Sequence, residues 1–128
     1  MYPKVSILKT ASGDFMVWSG ADALGKLLLQ EGIHEGSVIA ASKYIASLIK
    51  GRPAHILDIG ANIGSYAIPL ARDLGSNVNV SCFEIQKPVF YQLCGNIFLN
   101  SFLLELSKQL GRQHSLTYAS FIPLINLF

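Results

Sequence analysis

The sequence predicts an α/β domain in which a parallel βαβα core over residues 55–100 follows a β-hairpin and two helices placed within residues 1–54. Three observations predict it. From His55 to Asn100 the apolar spacing alternates between strand-like and helix-like, an order that calls for parallel strands with right-handed crossovers. A glycine-bearing turn, Gly60 to Gly64, sits where the first of those strands becomes a helix. The chain has 128 residues, of which 51% are hydrophobic and 14% charged. At the usual ~150 residues per domain that is one domain at most. Area scaling lets it bury about 67% of its unfolded surface. Mean hydropathy of +0.40 excludes a disordered or low-complexity chain. So few charges also predict an apolar face turned to a partner, a homo-oligomer being one form.

Each element has a local reason. Val5 to Lys9 and Phe15 to Trp18 are rich in β-formers, and Thr10-Ala11-Ser12-Gly13-Asp14 between them is a turn cluster, giving the hairpin. Asp22 is a good N-cap for a helix carrying Leu24, Leu27 and Leu28, with Gly32 as its stop. His34-Glu35-Gly36 reads as loop. Ser37 can cap a second helix with one apolar stripe: Val38, Ala41, Tyr44, Ile45, Leu48 and Ile49. Gly51 and Pro53 end it. His55 to Ile59 is the first core strand. Ser65 to Leu74 is helical, and Pro69 inside it must either kink the helix or move its effective start. Val78, Val80 and Cys82 alternate with Asn79 and Ser81 and lead into Phe83-Glu84, the second core strand. Pro88 suits a first helical position. Phe90, Leu93, Cys94, Ile97 and Phe98 then form an apolar face predicted to be buried. Residues 101–128 are a divergent tail: Ser101 to Leu110 can extend the helix, and Leu116 to Phe128 is almost uncharged.

Composition removes several function classes. Ten Lys/Arg against eight Asp/Glu give +2 with no dense basic patch, so nucleic acid is not expected as a partner. Cys82 and Cys94 form neither a disulfide framework nor a C-x-x-C metal pair. His34, His55 and His114 share no ligand spacing with Cys or carboxylates, so no metal is expected. Ser65 lacks a G-x-S-x-G context, which removes hydrolase chemistry. No membrane span and no leader-like start are read, and free thiols suit a reducing compartment. A cytoplasmic protein is the expectation.

The chemistry is concentrated in Leu57-Asp58-Ile59-Gly60-Ala61-Asn62-Ile63-Gly64-Ser65-Tyr66. Ligands of open parallel sheets bind outside the carboxyl ends of the strands, where this turn falls. Glu84 follows Gly64 by 20 positions, the separation of a glycine loop from the acid that reads a ribose. The loop is not G-x-G-x-x-G, because position 62 is Asn, and no Gly-Lys-Ser/Thr follows. Dinucleotides and nucleoside triphosphates are therefore poor candidates. A phosphate-free nucleoside such as S-adenosylmethionine fits better: backbone amides and Asn62 for its carboxylate, Asp58 for its ammonium, Glu84 for its ribose. Each residue also has a plain reading. The glycines can be a tight turn, Asp58 a helix cap, Glu84 a solvated strand-end acid and Asn62 a left-handed turn residue. Tyr66 is read as helix packing and Asn96 and Asn100 as structural. The His34-Glu35 pair is read first as polar loop and second as a neighbour of the site.

The same loop, together with Cys82-Phe83-Glu84, Tyr91-Gln92-Leu93 and Asn96-Ile97-Phe98-Leu99-Asn100, resembles the FkbM-type S-adenosylmethionine-dependent methyltransferases over residues 15–100. The resemblance implies a Rossmann-like class I methyltransferase fold, incomplete here. It implies cofactor contacts from Asp58, Gly60, Ala61, Asn62, Gly64, Ser65, Glu84 and Ile85, and a small-molecule or glycan hydroxyl as methyl acceptor. Two departures stand out. Ile85 replaces the family's proline after the Glu, and residues 101–128 do not resemble the family's continuation towards a seven-stranded sheet, so a truncated or frame-disturbed member is expected. No catalytic base is identified. The alternative is a non-catalytic nucleoside-binding or interaction module built on the same fold.

Overall fold

The structure is a computed structural model that describes residues 4–18, 23–49, 54–75, 78–108 and 118–121, with side chains as far as residue 100. In chain order the elements are β1 (Val5–Thr10), β2 (Gly13–Trp18), α1 (Ala23–Glu31), α2 (Gly36–Leu48), β3 (Ala54–Ile59), α3 (Ala67–Leu74), β4 (Val78–Glu84), α4 (Lys87–Lys108) and β5 (Tyr118–Phe121). The fold is mixed α/β. β1 and β2 form an antiparallel hairpin in which Val5 faces Trp18 and Thr10 faces Gly13. The second sheet runs β3-β4-β5, with both pairs parallel. Its third strand lies in the stretch expected to be a divergent tail. The four residues Tyr118–Phe121 are too short to signal a strand unless β4 is there to pair with.

β3 and β4 alternate, and this sets which face meets helices. Val78, Val80, Cys82 and Glu84 are buried, while Asn79 on the opposite face is exposed. Ala54 and Ile56 of β3 pack on the same core, which Ala67 and Ala71 of α3 and Leu93 of α4 complete. A second core joins Phe15 and Val17 of the hairpin to Leu28 of α1, Ile63 and Ile68. Phe15, Leu28, Leu70 and Leu93 are fully buried, each stabilising the fold by about 2–3 kcal/mol on burial. Surface pairs hold the periphery: Lys43 Nζ on α2 meets Asp73 on α3 at 2.7 Å, and Arg72 donates to the carbonyl of Ala11 in the hairpin turn at 2.8 Å.

Several expectations are corrected. α2 begins at Gly36, and Glu35 occupies its N-cap position in a left-handed conformation with no side-chain cap, so Ser37 does not cap it. The apolar stripe read on α2 is open to solvent: Val38, Tyr44, Ile45, Leu48 and Ile49 are exposed, and of this helix only Ile39 is buried. Pro69 shifts the helix start rather than kinking it. α3 begins at Ala67, so Pro69 stands in the first turn, where backbone N–H groups have no intrahelical acceptor to lose. Phe98 is exposed, and Phe90, Cys94 and Ile97 are only partly covered, so the buried face of α4 is narrower than its apolar pattern. The helix runs on to Lys108, the continuation that the spacing from Ser101 allowed. Asp22, Gly51, Pro53 and Leu110 lie outside the described residues, as does Leu116 to Phe128 apart from β5.

The buried side of α4 is partly polar instead, and the sequence spacing explains why. Gln92, Asn96 and Asn100 recur every four residues, a rise of about 6.0 Å along a helix. Alternate residues of a strand are spaced about 6.8 Å apart. The near match lets three amides serve as a strand partner for the outer edge of β2. Asp14 N–H donates to Asn100 Oδ1 at 3.0 Å, and Asn100 Nδ2 donates to Asp14 O at 2.7 Å. Met16 N–H donates to Asn96 Oδ1 at 2.6 Å, and Gln92 Nε2 donates to Met16 O at 2.6 Å. Asn96 and Asn100 are structural, as expected, and Gln92 belongs with them.

Candidate functional site

The site lies at the carboxyl ends of β3 and β4. β3 ends at Ile59, and the chain reverses through Gly60 to Gly64, three of whose residues have positive φ: Gly60 at 85°, Asn62 at 49° and Gly64 at 89°. An L side chain is strained there, which is why glycine holds two of the positions and Asn, the most tolerant alternative, the third. The two glycines differ in surroundings. A Cβ at Gly60 would meet nothing within 4 Å, so its backbone faces open space. A Cβ at Gly64 would fall 2.8 Å from Ile68 Cδ1 and 3.0 Å from Leu93 Cδ1, so a side chain there must push the ends of two buried side chains aside.

The loop is tied to the next strand. Gly60 and Ala61 both donate backbone N–H groups to Phe83 O, at 2.8 and 2.9 Å. Glu84, 6% exposed, accepts from Asn62 N–H at 3.0 Å through Oε2 and from Gln86 N–H at 2.7 Å through Oε1. The turn after β3 and the carboxylate ending β4 are thus in direct contact. From behind, Asn96 Nδ2 donates to Ile63 O at 2.9 Å, so the loop and β2 share one buried amide.

Asp58 stands beside this loop. Its Oδ2 is buried and accepts no hydrogen bond. Burial, then the nearby charges of Glu35 and Glu84, raise its pKa from 3.8 to about 6. Glu35 is itself the left-handed N-cap residue of α2, with φ 56°. His34, next to it, has Nδ1 3.4 Å from Ser65 Oγ and 4.0 Å from Glu35 Oε2. Glu35 is thus near enough for its charge to disfavour that of Asp58. In sequence the His34-Glu35 pair reads first as a polar loop, its only signal being two polar residues before a helix.

Of the residues expected to form the site, Asp58, Gly60, Asn62, Glu84 and Ile85 lie around the strand ends. Gly60, Asn62 and Ile85 are exposed, and Asp58 is partly covered. Ala61, Gly64 and Ser65 are buried in the floor of the loop, and Ser65 turns towards His34. Tyr66 packs, as expected, its hydroxyl 2.7 Å from Ser42 Oγ on α2. Cys82, beside Asp58 in the β3–β4 register, is buried, and desolvation with the nearby Asp58 charge pushes its thiol up to about 12. Among the described residues no cluster of three His, Cys, Asp or Glu is arranged for a metal, and no helix is long and apolar enough to cross a membrane.

Chemically, the arrangement offers an exposed backbone turn, a carboxylate with two of its roughly four acceptor positions taken, and a second carboxylate with an idle buried oxygen. Such a set accepts hydroxyls and a cation, and has no concentration of positive charge for phosphates. No family model matches the chain, and no curated protein matches it.

Proposed function

We propose that the chain is an S-adenosylmethionine-binding domain of the FkbM methyltransferase type, with a Rossmann-like core, acting on a hydroxyl of a sugar or other small molecule. One observation carries the reading: Glu84 Oε2 accepts the Asn62 amide at 3.0 Å, so the glycine turn and the ribose-reading acid converge on one spot. The residues fit the cofactor. The free acceptor positions of Glu84 suit two vicinal hydroxyls, the idle Oδ2 of Asp58 suits an ammonium, and exposed Ile85 suits the face of an adenine. When bound, S-adenosylmethionine supplies a methyl group already activated by its sulfonium. The protein's part is to position it. Glu84 and the Gly60–Gly64 backbone orient the nucleoside, and Asp58 with Glu35 favours a cationic amino-acid end. Two unpaired thiols suit the reducing cytoplasm.

A second reading, nucleoside binding without turnover, is favoured by the sheet itself: the described residues form three strands of it where the resemblance implies seven. Calorimetric titration with S-adenosylhomocysteine tests both. Binding that weakens at least tenfold in Glu84→Ala, while Glu84→Gln keeps the fold by circular dichroism, supports the nucleoside site. No heat from a folded sample ends it. Methyl transfer from labelled S-adenosylmethionine to simple sugars then separates enzyme from binding module.

A further inference from the structure

The amides of the glycine turn are largely spent inside the protein. Gly60 and Ala61 N–H both go to Phe83 O, Asn62 N–H goes to the Glu84 carboxylate, and Gly64 N–H goes to Ala61 O at 2.9 Å. Four of the five N–H groups from Gly60 to Gly64 therefore have acceptors, and the fifth belongs to Ile63, 2% exposed. A backbone anion site needs such groups unpaired and turned outward. A ligand carboxylate arriving at this turn instead meets the like charges of Asp58 and Glu84, which repel it.

His34 supplies what the turn lacks. The loop that carries it is fixed at three points. Gly32 N–H donates to Leu28 O at 2.9 Å, the hydroxyl of Ser12 in the hairpin turn donates to Gly32 O at 2.7 Å, and Glu35 O accepts the Ile39 N–H at 3.0 Å. Gly32 and Glu35 bracket the histidine at positive φ, 71° and 56°. For a Glu that backbone is uncommon and persists only where the surroundings impose it. The result is that His34 Nδ1 lies 3.4 Å from the hydroxyl of Ser65, the residue that follows the turn. Ser65 is 4% exposed and the His34 side chain 29%, so the serine is a buried anchor and the ring reaches outward from it. With Nδ1 accepting from Ser65, the ring proton stands on Nε2, which is then a donor. The exposed side chain of Asn62 is also a donor at the turn, but an amide carries no charge.

We propose that His34 binds the carboxylate of an amino-acid end, so that the site takes a zwitterionic adenosyl amino acid rather than a bare nucleoside. The proposal rests on the nucleoside reading of Glu84 given above. The ammonium of the same end falls to Asp58, whose Oδ2 is idle, and to Glu35, whose charge acts on Asp58 and whose Oε2 is 4.0 Å from His34 Nδ1. Hydrogen bonds to an ionised group are about twice as strong as neutral ones, which favours a ligand with both charges. Residues 34 and 35 are neighbours in the chain, so one fixed loop carries a partner for each charge.

Calorimetric titration of the 128-residue chain with two ligands tests it. One is S-adenosylhomocysteine; the other is methylthioadenosine, which keeps the nucleoside thioether and lacks the amino-acid end. The native chain is expected to bind S-adenosylhomocysteine at least about tenfold more tightly than methylthioadenosine. His34→Ala lowers the affinity for S-adenosylhomocysteine about tenfold and leaves that for methylthioadenosine unchanged. His34→Gln keeps an N–H donor and recovers part of the loss. Ser65→Ala frees the ring and weakens S-adenosylhomocysteine alone, by less than His34→Ala does. Circular dichroism confirms that each variant is folded. Equal binding of the two ligands by the native chain overturns the proposal and leaves the nucleoside reading standing. A His34→Ala chain that binds S-adenosylhomocysteine as the native chain does, or loses both ligands equally, overturns it too. A folded native chain that binds neither ligand ends both readings.

Discussion

Replacing Asn96 by Ala tests the claim that one buried amide holds the hairpin, α4 and the glycine turn together. Asn96 is fully buried, takes the Met16 N–H at 2.6 Å and gives a hydrogen bond to Ile63 O at 2.9 Å. Alanine leaves that donor and that acceptor without partners in a site shut off from water. An unsatisfied buried group costs about 1–3 kcal/mol, so the pair costs about 3 kcal/mol. Met16 O keeps Gln92, so it adds little. The loss is a large fraction of the ~5–15 kcal/mol stability of a domain. Urea unfolding followed through Trp18, the one tryptophan, reads it as a lower midpoint with unchanged slope. Asn100→Ala, whose site is only part-buried, costs about 1 kcal/mol by the same accounting. An Asn96→Ala cost below about 1 kcal/mol, or one equal to that of Asn100→Ala, would refute the reasoning.

Three further tests reach other parts of the site. Gly64→Ala meets both positive-φ strain and the side chains of Ile68 and Leu93, and should lower stability by about 3 kcal/mol. Gly60→Ala meets strain alone and costs about 1 kcal/mol, and equal melting temperatures for the two would contradict the distinction drawn from their surroundings. The pKa of Asp58 is raised on folding, so the folded state holds the extra proton between pH 3.8 and about 6 and loses that advantage as pH rises through about 6. Asp58→Asn should therefore stabilise the ligand-free chain at about pH 8 by ~1 kcal/mol, discounted for partial exposure, and give no gain near pH 4; a pH-independent difference counts against it. Thiol labelling at about pH 8 should modify Cys94 slowly and Cys82 not at all until denaturant is added, since burial suppresses the Cys82 thiolate. Rapid native labelling of both would contradict this.

The order of elements and the turn were legible because they depend on neighbours in the chain. Alternation in Val78–Cys82, the glycines at 60 and 64 and the β-formers of the hairpin act over a few residues, and the structure places strands and turns there. Burial was less legible. The stripes of α2 and the outer part of α4 have helical spacing, and spacing says that a face exists without saying what meets it. Phe98 and Ile45 are exposed for that reason, while Asn96 is buried.

By itself, then, the sequence determined an α/β chain with a sharp turn after its first parallel strand and an acid at the end of the second, because backbone sterics and side-chain period are local. Tertiary structure alone decided that Glu84 reaches the Asn62 amide, that Asn96 reaches Ile63, and that three amides of α4 complete the edge of β2. Those contacts join residues tens of positions apart, and their energies come from desolvation and hydrogen-bond geometry, which exist only once the elements have packed.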